Sequence, residues 1–154
     1  MKKIGLGLDY SNICKDYNTV YLDRDNNDKE TVACMTKVLR WFKPFLSELI
    51  DEFGYGIYRL NSDALLGLDD VVQKRFLFYS LEKAITVQSF ILQKDPTSYS
   101  MAQWAQSSEE SLMIQNDEEG EGIFFYFNEN SRIHQWLVEK LKDFSLDEVP
   151  FTEK

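Results

Sequence analysis

The sequence predicts an α+β fold: a single domain in which a small, mainly antiparallel sheet packs with a long kinked helix and a C-terminal helix. Three observations carry this prediction. A long segment in the first third repeats its apolar residues at helical spacing, and two apolar runs in the last third flank a short acidic loop, as the strands of a hairpin do. Strands and helices also follow one another without a regular βαβ order, which favours α+β over a parallel α/β sheet.

The first part of the chain contains two short segments that predict strands. The segment Gly5-Leu6-Gly7 lacks the third glycine of a nucleotide-binding loop, so it indicates a glycine-containing strand or a closely packed N-terminus. Residues 17–22 are rich in β-branched and aromatic side chains, and the polar residues 23–28 follow them. This pattern predicts a strand followed by a loop.

The long helix is the clearest element. Asp28 can cap its start and Gly54 can end it. Pro44 removes one backbone hydrogen bond but leaves the apolar spacing in phase, so we expect one kinked helix rather than two helices. An apolar stripe of this length usually faces the core of its own domain. The alternative is that it pairs with a second copy of the chain as a coiled coil. Its members are Val32, Met35, Leu39, Phe42, Leu46, Leu49 and Phe53.

The middle of the chain is less clearly patterned. Residues 55–60 predict a short strand, and residues 69–83 predict a helix because two acidic residues precede a mostly helical pattern. Residues 85–92 are richer in β-branched side chains. They fit either a strand or a continuation of that helix.

The last third predicts a short helix, a hairpin and a final helix. Ser100 can cap a short helix that runs through Trp104. Residues 112–115 and 123–127 form the predicted hairpin on either side of the acidic loop. Residues 132–144 place their apolar side chains on one face, which predicts the C-terminal helix.

The composition predicts that residues 1–154 fold by themselves as a single globular domain. Hydrophobic residues make up 44% of the chain and aromatic residues 14%, far more than a disordered chain carries. The apolar runs are too short to cross a membrane, and the apolar start is too short for a signal peptide. Cys14 and Cys34 lack the spacing of metal ligands. We therefore expect two free thiols and a cytoplasmic location.

The charge of the chain restricts its partners. The chain has 26 acidic and 17 basic side chains, which gives a formal net charge of −9. Such a charge repels the phosphate backbone of a nucleic acid, so no nucleic-acid ligand is expected. The same field accelerates the encounter with a basic protein, which is the partner class that we predict.

One short motif suggests an enzyme. Residues 20–25 resemble the first motif of haloacid-dehalogenase-type phosphotransferases, in which an apolar strand is followed by a nucleophilic Asp and, two residues later, by an acid/base Asp. The resemblance implies these roles for Asp23 and Asp25, and a magnesium-binding role for Asp69 and Asp70. Asn27 stands where that family usually has Thr or Val.

Apart from this motif, the sequence offers no catalytic set. His134 is the only histidine, and the sequence nominates no nucleophile for a triad around it. A zinc site would need carboxylates beside this histidine and the cysteines. We therefore predict no catalytic residues, no metal and no cofactor.

The acidic loop of the hairpin is the predicted partner-binding site. Four carboxylates lie within five residues, and aromatic residues near them could anchor a partner once the charges have steered it. A flexible, solvated hairpin tip is the alternative interpretation. The predicted site consists of Asp117, Glu118, Glu119 and Glu121 with Tyr126 and Trp104 as anchors.

In its whole character the chain is similar to bacterial immunity proteins, including those of contact-dependent growth inhibition. The shared features are small size, acidity, aromatic content and the lack of a catalytic motif. The resemblance implies an antitoxin that neutralises a basic toxin domain by direct binding. Two alternatives remain: an adaptor subunit that self-associates through a helix at residues 30–53, and the phosphotransferase that would use Asp23 and Asp25.

Overall fold

A computed structural model describes residues 2–23, 26, 28–59, 90–95, 99–116 and 122–152. Within these ranges the helices are α1 (Tyr17–Leu22), α2 (Asp28–Phe53), α3 (Met101–Gln106) and α4 (Arg132–Lys140), and a 3-10 turn spans Tyr10–Asn12. The strands are β1 (Lys3–Asp9), β2 (Gly56–Arg59), β3 (Phe90–Gln93), β4 (Ser111–Asn116), β5 (Gly122–Asn128) and β6 (Leu146–Pro150).

The described strands form one six-stranded sheet in the order β2-β3-β4-β5-β1-β6. Each neighbouring pair is antiparallel. The first strand of the chain therefore lies between the fifth and the sixth. A wholly antiparallel sheet accompanied by helices confirms the predicted α+β class.

Helices α2 and α4 cover one face of the sheet, which we call the inner face. Strand residues such as Leu8, Phe125 and Phe127 point to this side and are almost completely buried. The ring of Phe42 on α2 stacks on Phe125 at 6.2 Å between ring centroids, and Leu137 of α4 is fully buried in the same cluster. The inner face is thus the main hydrophobic core.

Helix α2 matches the predicted helix closely. It begins at Asp28, continues through Pro44 and ends before Gly54, which has a φ of +65°. Glycine adopts this left-handed conformation without strain, and it commonly follows a helix for that reason. Pro44 lies on the exposed side. The buried face of α2 consists of Cys34, Val38, Phe42, Phe45, Leu46, Leu49 and Ile50.

The predicted stripe is only partly the buried face. Phe42, Leu46 and Leu49 are buried as expected, whereas Val32 is 65% exposed and Met35 is half-buried. The central part of the stripe is therefore occupied by the protein's own core. Three of the seven residues of the stripe are buried against the sheet, and the other four are half-buried or exposed.

The predicted strand at residues 17–22 is wrong, because this segment forms helix α1. Tertiary packing outweighs the strand propensity here. Tyr17 is 1% exposed, packs edge-on against Tyr10 and donates a hydrogen bond from its hydroxyl to the sulfur of Met35 on α2. Asp23 consequently follows a helix instead of the strand that the phosphotransferase motif requires, and Asp25 lies outside the described residues.

The prediction of free thiols is also wrong. Cys14 and Cys34 form a disulfide, with their Cα atoms 5.6 Å apart. The turn after β1 folds back on the second turn of α2, so cysteines that are 20 residues apart in sequence meet in space. Disulfides persist mainly in oxidising compartments. The bond removes the argument for a cytoplasmic location that rested on free thiols.

The remaining predictions agree with the structure where it describes them. The hairpin is β4–β5, and Ser100 caps α3 in a capping box with Gln103. The final helix is α4, which ends at Lys140, earlier than predicted. Of residues 85–92, only 90–92 are described, and they belong to β3; the helix predicted at 69–83 lies outside the described residues. No helix in the described part of the chain combines the length and apolarity needed to cross a membrane.

Candidate functional site

The second face of the sheet, which we call the outer face, carries the predicted aromatic anchors. Alternation along the strands places every second residue of β1 and β5 on this face. Opposite each other in the register lie Lys3 and Asn128, Gly5 and Tyr126, Gly7 and Phe124, and Asp9 and Gly122. The outer face therefore has two ends: a polar end at Lys3 and a loop end at Asp9, next to the acidic loop.

Two glycines make room for the aromatic rings of β5. A Cβ atom on Gly5 would lie 2.6 Å from the ring of Tyr126, and one on Gly7 would lie 3.1 Å from the ring of Phe124. The rings thus lie directly on the backbone of β1. Of the two interpretations of Gly5-Leu6-Gly7, the glycine-containing strand is confirmed.

Tyr126 and Trp104 lie inside a second apolar cluster on the outer face. Trp104 of α3 has no exposed surface, and Tyr126 is 9% exposed. The ring of Phe151 packs edge-on against both, with 5.3 Å between ring centroids in each pair. Their role in binding a partner stays a prediction. In this conformation they hold α3 and the end of the chain on the sheet.

Phe124 is the more accessible aromatic residue of the same strand. It is half-buried, in contrast to Tyr126. One row of the outer face runs across β6, β1, β5 and β4 and contains Asp147, Gly7, Phe124 and Gln115. Asp147 is exposed. Sequence reasoning missed Phe124, although its alternation with Tyr126 after the acidic loop was a usable signal.

The four predicted acidic residues lie in the connection 117–121, outside the described residues. The anchors of this connection are described. Asn116 pairs with Ile123, and Gly122 pairs with Asp9. The Asp9 carboxylate accepts a hydrogen bond from the backbone N–H of Ser11 and so caps the 3-10 turn.

The polar end of the outer face contrasts with the loop end. The buried polar side chains of the described residues are Lys3, Asn128, Ser111 and Gln93, and they form one row across β1, β5, β4 and β3. We call them the polar row. Burial lowers the pKa of Lys3 to about 8, and the charge of Glu109 acts in the opposite direction.

Two of the residues considered for catalysis, His134 and Asp23, are described and make local contacts. His134 accepts a hydrogen bond at Nδ1 from the backbone of Asn130, and its ring packs on Phe127 at 4.8 Å between centroids. The carboxylate of Asp23 accepts a hydrogen bond from the Asn26 side chain on the surface. Within the described ranges, no group of three or more His, Cys, Asp or Glu residues is placed to hold a metal ion.

The loop end thus combines a half-buried ring, an exposed carboxylate and the anchors of a segment with four more carboxylates. This arrangement can contact a cationic, partly apolar surface. Comparison with protein-family models, with curated proteins and with solved structures gives no match to this chain.

Proposed function

We propose that this chain is a non-catalytic protein-binding module that captures a basic protein with the loop end of its outer face. The observation that carries the proposal is the row of Asp147, Gly7, Phe124 and Gln115. It holds a half-buried aromatic ring over a glycine, beside an exposed carboxylate, at the sheet end where the acidic connection 117–121 is anchored.

The two components of the site have different physical tasks. Carboxylates at the rim of an interface mainly raise the association rate, and salt weakens their effect because the Debye length is about 8 Å at physiological ionic strength. A ring that becomes fully buried in a complex mainly slows dissociation. The net charge of −9 supplies the long-range field for the first task, and Phe124 supplies the contact for the second.

A bacterial immunity protein is the class that we propose within this function. Such a protein neutralises a basic toxin domain by direct binding, which requires a fixed surface and no chemistry of its own. The antiparallel sheet and helix α1 support this class over a phosphotransferase, since Asp23 lacks the strand that would present it. A toxin gene next to this one would identify the partner directly.

The test separates the two tasks. The partner is first isolated with the tagged chain from cells that produce both, and association and dissociation rates are then measured at several salt concentrations. Neutralising Asp117, Glu118, Glu119 and Glu121 to Asn or Gln should slow association several-fold at low salt and leave dissociation nearly unchanged. Phe124→Ala should do the reverse and accelerate dissociation about tenfold or more.

A matched control removes the same charge elsewhere. The exposed residues Glu52, Glu129, Asp143 and Glu148 are neutralised together, so the net charge changes equally while the loop end stays intact. This control should retain most of the association rate. If both quadruple variants slow association to the same degree, net charge alone steers the partner. If Phe124→Ala leaves dissociation at the parent rate, the loop end is not the contact surface.

A further inference from the structure

The polar row is an unusual use of the interior of a sheet. Polar side chains that are removed from water normally cost free energy unless every group finds a partner. Here four of them lie side by side on four adjacent strands, and each is at most 6% exposed. Three of them, Lys3, Asn128 and Ser111, are bonded to residues 99–110, which contain α3 and which we call the cover. The Gln93 amide donates to the backbone of Asp95 instead.

Hydrogen bonds from the polar row hold the cover on the sheet. The Lys3 amine donates to the carbonyl oxygen of Ser107 at 2.8 Å, and the Asn128 amide donates to that of Glu109 at 3.2 Å. In the opposite direction, the Trp104 indole donates to the Ser111 hydroxyl at 3.0 Å. The cover also has apolar contacts: Trp104 packs with Ile91, Met113 and Tyr126, and Met101 packs against this cluster.

The row is also imperfectly satisfied. The Lys3 amine donates to the neutral Asn128 amide at 2.5 Å and lies 4.5 Å from the centre of the Trp104 ring. The carboxylate of Glu109 is held by the Tyr99 hydroxyl at 2.7 Å. The Gln93 side-chain oxygen is buried without a hydrogen-bond donor. A buried cation whose hydrogen-bond acceptors are neutral favours a conformation in which water reaches it.

We propose that the cover opens as one unit without unfolding the sheet, and that hydration of Lys3 drives this opening. The inference goes beyond the proposed function and does not depend on it. Opening would expose Trp104, which is otherwise fully buried. The rest of the sheet stays closed because α2 and α4 hold it from the inner face.

The charge of Lys3 gives the opening a pH dependence. In the closed form the pKa of Lys3 is about 8, and in the open form it returns to its ordinary value of 10.5. Between these values the amine is protonated when the cover is open and neutral when it is closed, so a rising pH favours closure. The opening constant should fall between tenfold and a hundredfold from pH 7 to pH 10.

Other groups around Lys3 must be separated from this effect. The ionisable side chains of the cover include Glu109 and Tyr99, which are bonded to one another, and Glu110, which accepts a hydrogen bond from Tyr55. On the neighbouring strands, Asn128 and Ser111 do not titrate, and Tyr126 of β5 is an ionisable side chain in the cluster around Trp104. Tyr58 on β2 has its pKa raised, chiefly by burial and then by the charges of Asp95 and Glu109. A Tyr99→Phe variant should retain the pH dependence if Lys3 causes it.

The experiment measures hydrogen exchange of the Trp104 indole N–H and the backbone amides of residues 107–110 by solvent-exchange NMR from pH 7 to pH 10. Amides of β4 and β5 in the same sample serve as the reference. Base catalysis accelerates exchange at both places, so it cancels in the ratio of the exchange rate in the cover to the exchange rate in these strands. We expect faster exchange in the cover at pH 7 and convergence towards the reference as the pH rises.

Variants and their controls decide the cause. Lys3→Met should abolish the pH dependence of the ratio, whatever its effect on the absolute rates, while the exposed neighbour Lys2→Met should leave the dependence intact. The proposal would be overturned if the cover and the reference strands of the parent protein had the same free energy of opening. A ratio that does not change with pH would also overturn it, and both results come from the parent protein without any variant.

Discussion

The two faces of the sheet are covered in different ways. The inner face lies under α2, a helix of 26 residues, and its buried contacts are apolar, with aromatic rings such as Phe42, Phe45 and Phe125 at the centre. The outer face lies under α3, a helix of six residues, and its cover is held by hydrogen bonds from the polar row and by a smaller apolar cluster around Trp104. Burial of apolar surface is the dominant stabilising term, so the inner face should carry most of the stability.

This difference indicates where the protein can change without unfolding. Local opening takes place where few apolar contacts hold a segment. The outer face has a smaller buried apolar cluster than the inner face. At its loop end it offers a half-buried ring and an exposed carboxylate. We therefore expect substitutions on the inner face to affect stability and substitutions on the outer face to affect binding and local opening.

The largest expected effect tests the inner face. Phe42 is 2% exposed and stacks on Phe125 across the interface between α2 and the sheet. Phe42→Ala should lower the free energy of unfolding by about 3–5 kcal/mol, because it removes a large buried side chain and leaves a cavity. Val32→Ala, on the same helix but 65% exposed, should cost less than about 0.5 kcal/mol. Urea unfolding of both variants measures the difference; equal costs would mean that α2 is oriented wrongly.

The second effect concerns the disulfide that ties the segment before α1 to α2. Its sequence separation is 20 residues, and closing a loop of this size restricts the unfolded chain. Reduction should therefore lower the free energy of unfolding by about 3 kcal/mol. Chemical unfolding with and without a reductant measures this change, and the Cys14→Ser/Cys34→Ser double variant should not respond to the reductant. An unchanged midpoint of the parent protein would show that the bond does not form in solution.

The smallest effect on stability sharpens the comparison on the outer face. Gly5→Ala would place a methyl group 2.6 Å from the ring of Tyr126 and 2.7 Å from Val149, so neighbours must shift at a cost of about 1–3 kcal/mol. Gly7→Ala meets the half-buried Phe124 at 3.1 Å, where the ring can move outwards, and should cost less. Thermal unfolding ranks the two. The opposite ranking would mean that Phe124 is held more tightly than Tyr126.

Sequence periodicity predicted the elements that have a strong local pattern. Helix α2, the β4–β5 hairpin and the cap at Ser100 follow from residues close together in the chain, and the structure confirms each. Helix α1 was missed because its strand-forming residues are held in a helix by packing against α2, a contact between segments that periodicity does not report.

The features that depend on the register of distant strands could not be predicted. The polar row needs β1, β3, β4 and β5 to align at one level, and no short segment shows this alignment. The disulfide likewise depends on the turn after β1 folding back on α2. For the candidate site, the acidic loop was visible in the sequence, whereas the contrast between buried Tyr126 and half-buried Phe124 required the packing of the outer face.

The position of β1 has a consequence for the order of folding. This strand lies between β5 and β6, and its residue Lys3 pairs with Asn128, 125 residues later in the chain. On the ribosome, β1 therefore emerges long before either of its partners has been synthesised. Contacts between such distant segments form slowly because a long loop must close first. The sheet can be completed only after residues 146–150 have left the ribosome, so closure of β1 against β5 and β6 is expected to be a late step of folding.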